Sequence, residues 1–469
     1  MKILFIAPPN FRFREVTYQN LSLGPAYLAA VLRKHHDVIV YDAEAPSKEE
    51  VDSFKHDYTS YEYLITSHDM YLAGLNDESH PVWREIAGVI NDFSPDIIGL
   101  STMTPSYPAA LVIARLAKRI SPAKVIIGGV HATTLPEETA LQDDIDIVVR
   151  GEAEETMVEL VACLEQGGDL NSVKGLTYKK DGQIVSTPPR NFINDLNSLP
   201  FPIKDVLFPE RFSSSHFINI IAGRGCPHNC YFCANHSLWG AHRIRSLDNI
   251  WEELDYLYRK YDRTIMFWDD NLTVSKKLLF ALCDRMKKET PDILWRGESR
   301  VDTLTPETLI NMKEAGCWDV KLGIESGSDK ILAYMNKKLT VKKVMDCAEM
   351  ILKTGIQFSV NFMYGLPEET WEDLQATLDL IKRIPANSIA VSKFIPLPGT
   401  KLYDDVMELG LIKDRPPRYE HLDLYSTHYY YPRHVARDKF EEFTYEINRV
   451  VDEKNKRTRI GPPKRKQIN

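Results

Sequence analysis

Short apolar runs alternate with amphipathic stretches along the first part of the chain. Lys2 to Ala7 reads as a buried strand broken at Pro8-Pro9, and Leu23, Tyr27, Ala30 and Val31 give the stretch from Ser22 to Leu32 helical spacing. Val38 to Tyr41 is a second strand. A polar, aromatic-rich insert runs from about Ala43 to Val82, and a helix around Trp83 to Phe93 then leads into the strand Asp96 to Ser101. A further helix, Ala109 to Ile120, precedes strands over Ala123 to Gly129 and Ile145 to Arg150. Lys174 to Val185 reads as a hairpin turning at Lys180, Asp181 and Gly182, and Pro188, Pro189, Pro200 and Pro202 mark a linker reaching about Ser215.

From Phe217 the alternation repeats with stricter timing. Strands are expected at Phe217 to Ala222, Thr264 to Trp268, Ile293 to Arg296, Val320 to Ile324, Gln357 to Met363 and Ser388 to Phe394, with helices between them. Thr305 with Pro306 starts a helix that stops at Gly316, and Thr340 starts another that stops at Gly355. After Tyr403 come Arg418 to Tyr425 and His428 to Pro432, rich in tyrosine and histidine, and a helix from about Val435 to Asp452. Those tyrosines and histidines either line a substrate pocket or pack a cap against the barrel edge, the second reading being favoured.

This order implies an α/β chain. Residues 1–187 form an N-terminal doubly wound, Rossmann-like parallel sheet, 188–215 a linker, 216–405 a partial (β/α)6 barrel of TIM type, and 406–469 a small helical C-terminal region with a basic tail. Both architectures hold their ligands at the carboxyl ends of the strands. No G-x-G-x-x-G follows the first strand, and Pro8-Pro9 stands where that turn belongs, which argues against a nicotinamide site.

The formal net charge of -8 gives no general attraction to nucleic acid or anionic lipid, so nucleic acid is not expected as a partner. The exception is the stretch from Lys454 to Lys466, where seven Lys or Arg residues gather around Gly461-Pro-Pro463; it reads as a solvated terminus before it reads as a docking site. The opening apolar run is too short for a signal peptide, and no run approaches the roughly 18 apolar residues of a membrane helix, so a cytoplasmic protein is expected. Of the seven cysteines, Cys163, Cys283, Cys317 and Cys347 are scattered and read as buried small hydrophobes.

The other three, Cys226, Cys230 and Cys233, form a C-x3-C-x2-C cluster on the loop after the first barrel strand. Three thiolates are one too few to close a structural zinc site or to ligate a cubane fully, which leaves one open iron position. The same face collects polar residues at each later strand end: Asp269-Asp-Asn271, Glu298 to Asp302, Glu325 to Ser328, Tyr364 to Pro367 and Pro396 to Thr400. Any single carboxylate among them reads first as a helix cap or surface loop, but the set beside three cysteines does not.

The cysteine spacing, with the aromatic Phe232 just before the last cysteine, resembles the radical S-adenosylmethionine enzymes, and the similarity runs from about Ile218 to Tyr403. The resemblance implies a 4Fe-4S cluster whose open iron chelates S-adenosylmethionine. Asp269, Asp270, Ser299 and Arg300 would then lie near its methionine end, Glu325 and Ser326 near its ribose or amino group, and Phe232, Gly365 and Ile395 near its adenine. A low-potential donor such as flavodoxin or ferredoxin is implied as electron source.

A second resemblance covers the N-terminal part. Lys2 to Pro9, Gly24 to Ala30, Pro95 to Ser101, Gly128-Gly-Val-His-Ala-Thr133 and Val149-Arg-Gly-Glu-Ala-Glu154 together look like the cobalamin-binding domain carried by one class of these enzymes. Gly128, Gly129, His131, Thr133, Gly151 and Glu152 are its candidate cofactor residues. The D-x-H-x-x-G motif of histidine-ligated cobalamin domains is absent, so the resemblance implies cobalamin without a histidine on its lower face, with Thr102, Met103 and Thr104 as candidates to line that face. For His131 a backbone-bonded loop histidine is an equal reading, as is a helix-capping turn for each of Thr102 to Thr104.

The implied activity is methylation of an unactivated carbon of a small-molecule or lipid-like substrate through a 5′-deoxyadenosyl radical, with cyclisation, ring contraction or oxidation as alternatives. Transfer RNA methylthiolation needs further N-terminal cysteines for a second cluster, and none precedes Cys163. A nonenzymatic cobalamin sensor leaves Cys226 and its neighbours without a role.

Overall fold

The computed structural model describes residues 1–16, 22–47, 49–50, 61–202, 218–260, 264–424, 426, 429–458 and 461. Phe217, the later part of the linker, Tyr425, His428 and most of the basic tail lie outside the described residues.

The first sheet contains β1 (Lys2–Ala7), β2 (Asp37–Asp42), β3 (Ile97–Ser101), β4 (Lys124–Gly128), β5 (Ile147–Val149), β6 (Leu176–Lys180) and β7 (Gln183–Ser186), in the order β2-β1-β3-β4-β5-β6-β7. The first five strands run parallel, and the hairpin β6–β7 adds an antiparallel edge. In β1 only Lys2 is exposed, as a central parallel strand covered on both faces requires. Helix Pro81–Phe93 buries Val82, Trp83, Ile86 and Ile90, a stripe at helical spacing that packs into the core with Ile98 and Leu100. β1 pairs with β2 on one side and β3 on the other, so the connection direction reverses between them. A crevice opens at the carboxyl ends of β1 and β3, where ligands of such sheets bind.

The insert differs from expectation. It contains a helix, Tyr61–Asn76, whose Gly74 carbonyl accepts the Trp83 indole N–H at 3.0 Å, tying it to the next helix.

The second sheet is built from β8 (Ile218–Ile220), β11 (Ile265–Phe267), β12 (Trp295–Ser299), β13 (Cys317–Glu325), β14 (Gln357–Tyr364) and β15 (Ser388–Lys393), all parallel and in sequence order. β9 (Gly223–Arg224) and β10 (Arg243–Ile244) form a separate antiparallel ribbon after β8. Among the described residues β8 and β15 do not pair, so the barrel is open. The Thr305 and Thr340 hydroxyls accept the amides of Thr308 and Lys343, capping the helices expected there.

The C-terminal helix is longer than expected, Arg437–Thr458, and it closes the open edge. Asn455 exchanges two 2.8 Å hydrogen bonds with the backbone of Ile389 in β15, satisfying edge groups that would otherwise invite pairing with another chain.

Candidate functional site

The carboxyl edges of the two sheets face each other across a cavity of about 490 Å3. Ala7, Pro8 and Ser101 to Met103 form one wall; Gly223, Arg224 and Trp268 to Asp270 form the other. Glu44 and Asp269 line opposite sides, and burial pushes each carboxyl up to about 7. Asp269 accepts the amides of Ala222 at 3.0 Å and Gly223 at 2.7 Å, so it fixes the turn that launches the cysteine loop.

That loop is held by backbone on both sides. The Tyr231 amide donates to the Met335 carbonyl, and the Leu402 amide to the Tyr231 carbonyl, each at 3.0 Å, while the Asn336 amide group donates to the Asn229 carbonyl at 2.6 Å. Cys230 is buried, Cys226 half-buried and Cys233 exposed. Burial first, with the Asp270 carboxylate adding to it, raises the Cys226 thiol above its ordinary value, so iron binding must displace a proton there. Among the described residues no three His, Cys, Asp or Glu side chains converge on one point as donors to a single ion do. A cubane places each thiolate on a different iron and asks for no such convergence.

Arg300 stands directly behind the loop. Its Nη1 lies 3.7 Å from Cys230 Sγ, while Asp302 takes Nε and Nη2 at 3.0 and 3.1 Å and the Lys337 carbonyl takes Nη2 at 2.7 Å. At the neighbouring strand ends, Ser299 Oγ and Asn271 Nδ2 are buried without a hydrogen-bond partner among the described residues. Two orphaned polar atoms at the ends of β11 and β12 fit a polar ligand seated beside the cysteines, because leaving such atoms unpaired costs about 1–3 kcal/mol each.

Of the expected cofactor residues, Thr102, Met103, Asp269 and Asp270 meet at the cavity. Others are placed elsewhere. Thr104 turns to His131, whose Nδ1 lies 3.2 Å from its hydroxyl. Gly128, Gly129, Thr133 and Gly151 build the sheet edge instead of lining the cavity: Thr102 Oγ donates to the Gly128 carbonyl and the Gly151 amide to Thr133 Oγ, both at 2.9 Å. The Ser326 hydroxyl is fully buried, hydrogen-bonded to the Thr377 hydroxyl at 3.1 Å and accepting the Ser328 amide at 3.1 Å. Glu325 pairs with Lys337 Nζ at 2.8 Å, and that ammonium sits 5.6 Å from the Phe232 ring centroid. Gly365 faces Phe440 of the C-terminal helix, and Ile395 packs half-buried against the core, so neither lies on the cavity. Glu152 is consumed by ion pairs with Arg224 and Arg243. Sequence reasoning missed Glu44, Trp239 and Trp268 as lining residues, because they come from a turn after β2, the end of the short helix Asn235–Trp239 and the loop after β11, with no motif of their own.

His131 is not a ligand in reach of the cavity. It is fully buried, stacked on Tyr107 at 3.9 Å and edge-on to Tyr419 at 4.6 Å. Burial drives its pKa down to about 3, so the native protein holds it neutral while an unfolded chain protonates it near 6.5. The stability this group contributes is therefore complete above pH 6.5 and lost as pH falls towards 3. His131→Phe, which keeps the stacking, is expected to flatten the acid limb of stability by about 2 kcal/mol between pH 6.5 and 5, read as thermal midpoints across that range. Parallel pH profiles for variant and wild type would refute the assignment.

Tyr419 and His421 dock on the N-terminal domain, through Tyr107, His131 and His68, while Tyr430 and Tyr431 surround Lys393 at the end of β15. None of them lines the cavity between the sheets.

Comparison with known proteins matches residues 220–381 to the radical SAM superfamily and residues 64–161 to the B12 binding domain. An uncharacterized methyltransferase of Pyrococcus horikoshii is 33% identical over 420 residues, covering 88% of this chain and 84% of that protein. The anaerobic magnesium-protoporphyrin IX monomethyl ester cyclase of Rubrivivax gelatinosus is 29% identical over 344 residues, 71% of this chain and 61% of its own. Among solved structures, the cobalamin-dependent S-adenosylmethionine radical enzyme OxsB superposes with a TM-score of 0.71 at 16% identity, over 95% of this chain and 66% of that one. The radical S-adenosylmethionine methyltransferase TsrM of Kitasatospora setae gives 0.68 at 16% identity, over 88% and 76%. These two likenesses show the fold. The two matched domains and the Pyrococcus relative, spanning most of both chains, show more: this chain belongs to the radical S-adenosylmethionine enzymes that carry a cobalamin-binding domain.

Proposed function

We propose that the protein methylates an unactivated carbon of a small-molecule or lipid-like substrate, using a 4Fe-4S cluster, S-adenosylmethionine and cobalamin. The observation that carries this reading is the shared cavity, which sets the edge after β1 and β3 opposite the wall from which the cysteine loop departs. Cys226, Cys230 and Cys233 would hold the cluster. Asp270, Asn271 and Ser299 would meet the polar end of S-adenosylmethionine, and Thr102 and Met103 the lower face of cobalamin; no histidine lines the cavity among the described residues. When bound, the cluster supplies one electron to the sulfonium and cobalamin supplies a methyl donor.

The chain's own part is positioning and exclusion of water. Phe11, Tyr27, Trp239 and Trp268 give the cavity apolar walls, and Asp269 anchors the loop that bears the cysteines. A flavodoxin or ferredoxin would deliver the electron at the exposed side of that loop, where Cys233 reaches the surface. Among the described residues no helix is long and apolar enough to cross a membrane, in keeping with a cytoplasmic enzyme of small molecules.

Anaerobic purification with iron, sulfide and hydroxocobalamin tests the reading. Bound iron and cobalamin, and 5′-deoxyadenosine formed from S-adenosylmethionine under reduction, are expected. A colourless protein containing zinc would sink the proposal. The cyclase relative favours ring closure as a second reading, and methyl-labelled S-adenosylmethionine separates the two: label in the product marks methylation, and a new ring without label marks the cyclase.

A further inference from the structure

Glu152 lies on the turn that follows β5 and Glu154 opens the helix Glu154–Glu165 after it, yet both reach across to the other domain. β9 and β10 close the base of the cysteine loop, with Arg224 directly opposite Arg243 in the ribbon. Both guanidinium groups turn to one carboxylate: Arg224 Nη1 lies 2.8 Å from Glu152 Oε1, and Arg243 Nη1 lies 2.7 Å from Glu152 Oε2. Glu154 takes the other arm of Arg224, and Glu152 also accepts the Ile193 amide at 2.8 Å. The side chains of Arg224, Glu152 and Glu154 are only 3%, 2% and 7% exposed. Arg224 is also flanked by two aromatic rings of the cavity wall, 5.1 Å from the Tyr27 centroid and 4.9 Å from that of Trp239.

We propose that Glu152 is a positioning residue whose grip on Arg224 and Arg243 fixes the cysteine loop relative to the carboxyl edge of the first sheet. This rests on the two-cofactor reading above. All three cysteines lie between the two arginines, so a carboxylate that holds both ends of the ribbon holds the whole loop. A buried ionic cluster is seldom more stabilising than a well-packed apolar contact of the same volume, because desolvation consumes most of the attraction. What it adds is register. An apolar contact between two domains tolerates sliding, whereas two forked guanidinium groups on one carboxylate accept a single alignment. The aromatic rings on Arg224 carry that alignment directly into the cavity wall. Glu152 thereby serves both cofactors without touching either.

The test uses the full chain with Glu152→Gln, which keeps the shape and loses the charge, and Arg224→Met. Ile351→Ala, a core truncation on helix Val341–Thr354 of the barrel, controls for general loss of stability. Hydrogen exchange over residues 223–245 reads the clamp without any cofactor. Pulsed electron paramagnetic resonance of the loaded chains reads the dipolar coupling between cob(II)alamin and the reduced cluster. Both clamp variants are expected to exchange at least about tenfold faster over that segment and to lose a single well-defined coupling, while retaining iron and cobalamin. The control is expected to change neither. Unchanged exchange in the clamp variants overturns the proposal, and so does faster exchange with an unchanged coupling, since the cluster is then local scaffolding. A wild-type chain that takes up neither cofactor overturns the proposed function and with it the positioning role that rests on it, whereas a loaded wild-type chain leaves exchange and coupling together to decide the clamp.

Discussion

Replacing Cys230 with alanine is expected to leave a folded chain that retains less than about a hundredth of the wild-type iron and forms no measurable 5′-deoxyadenosine. A hydrogen-bonding partner behind a metal ligand is worth about 10–100-fold in affinity, and loss of one ligand in three exceeds that. The fold should survive, because the loop is pinned through the backbone of Tyr231 and Leu402 and not through the thiol. Truncating so small a buried side chain costs about 1 kcal/mol. Arg300→Met makes the informative contrast. It removes the N–H donor 3.7 Å from Cys230 Sγ and a fixed positive charge, both of which favour the reduced cluster, but no sulfur. Iron should stay, and reduction should become about tenfold less favourable, which for one electron is 59 mV. Iron analysis and a redox titration of the two variants separate these outcomes. Full iron in Cys230→Ala would remove the cluster from this loop.

Strand positions were legible wherever an apolar run ended at glycine, proline or a small polar residue, as at β1 and β4. They were least legible at β12 and β13, where charged residues interrupt the apolar runs. The register explains the interruptions: Arg296 lies opposite Asp319 and Glu298 opposite Lys321, and the pairs close at 2.8 and 3.1 Å. Cross-strand charge pairs of this kind are invisible until the partner strand is known. Helix Tyr61–Asn76 was hidden for a related reason. Tyr63, Ser67 and Tyr71 recur at helical spacing on its buried face, but Ser67 and His68 read as polar and break the stripe.

The site divides in the same way. Three cysteines within eight residues announce themselves, since the chemistry and the spacing lie on one loop. Which of the polar strand ends remain available is a tertiary matter. Glu325, Ser326 and Glu152 carry the right chemistry but are spent on Lys337, Thr377 and Arg224, and the last contact spans 72 positions. Conversely Ser299 and Asn271 gain significance only from the absence of a partner among the described residues, which the sequence cannot reveal.

Gly129→Ala should be the most damaging small substitution in the N-terminal domain, and it tests how the cobalamin-binding edge is built. Gly129 sits at φ +97°, a conformation that costs a side-chain-bearing residue about 1–3 kcal/mol. Its missing Cβ would also lie 2.4 Å from the Thr102 carbonyl oxygen and 2.7 Å from the Thr102 nitrogen. Backbone cannot step aside there, because Thr102 is bonded to the Gly128 carbonyl through both its amide and its hydroxyl. Strain and overlap together should cost about 3 kcal/mol or more, and a shift of Thr102 moves the cavity wall it forms with Met103. Gly151→Ala isolates the first of these effects. Gly151 has φ +72°, but among the described residues nothing lies within 4 Å of its would-be Cβ. It should lose only about 1–2 kcal/mol and keep its cobalamin. The expected result is therefore a first thermal transition roughly 6–12 °C lower for Gly129→Ala, with cobalamin uptake reduced at least about tenfold, against a small shift and wild-type uptake for Gly151→Ala. Equal behaviour of the two variants would mean that the close approach of Gly129 to Thr102 does not shape the cobalamin edge.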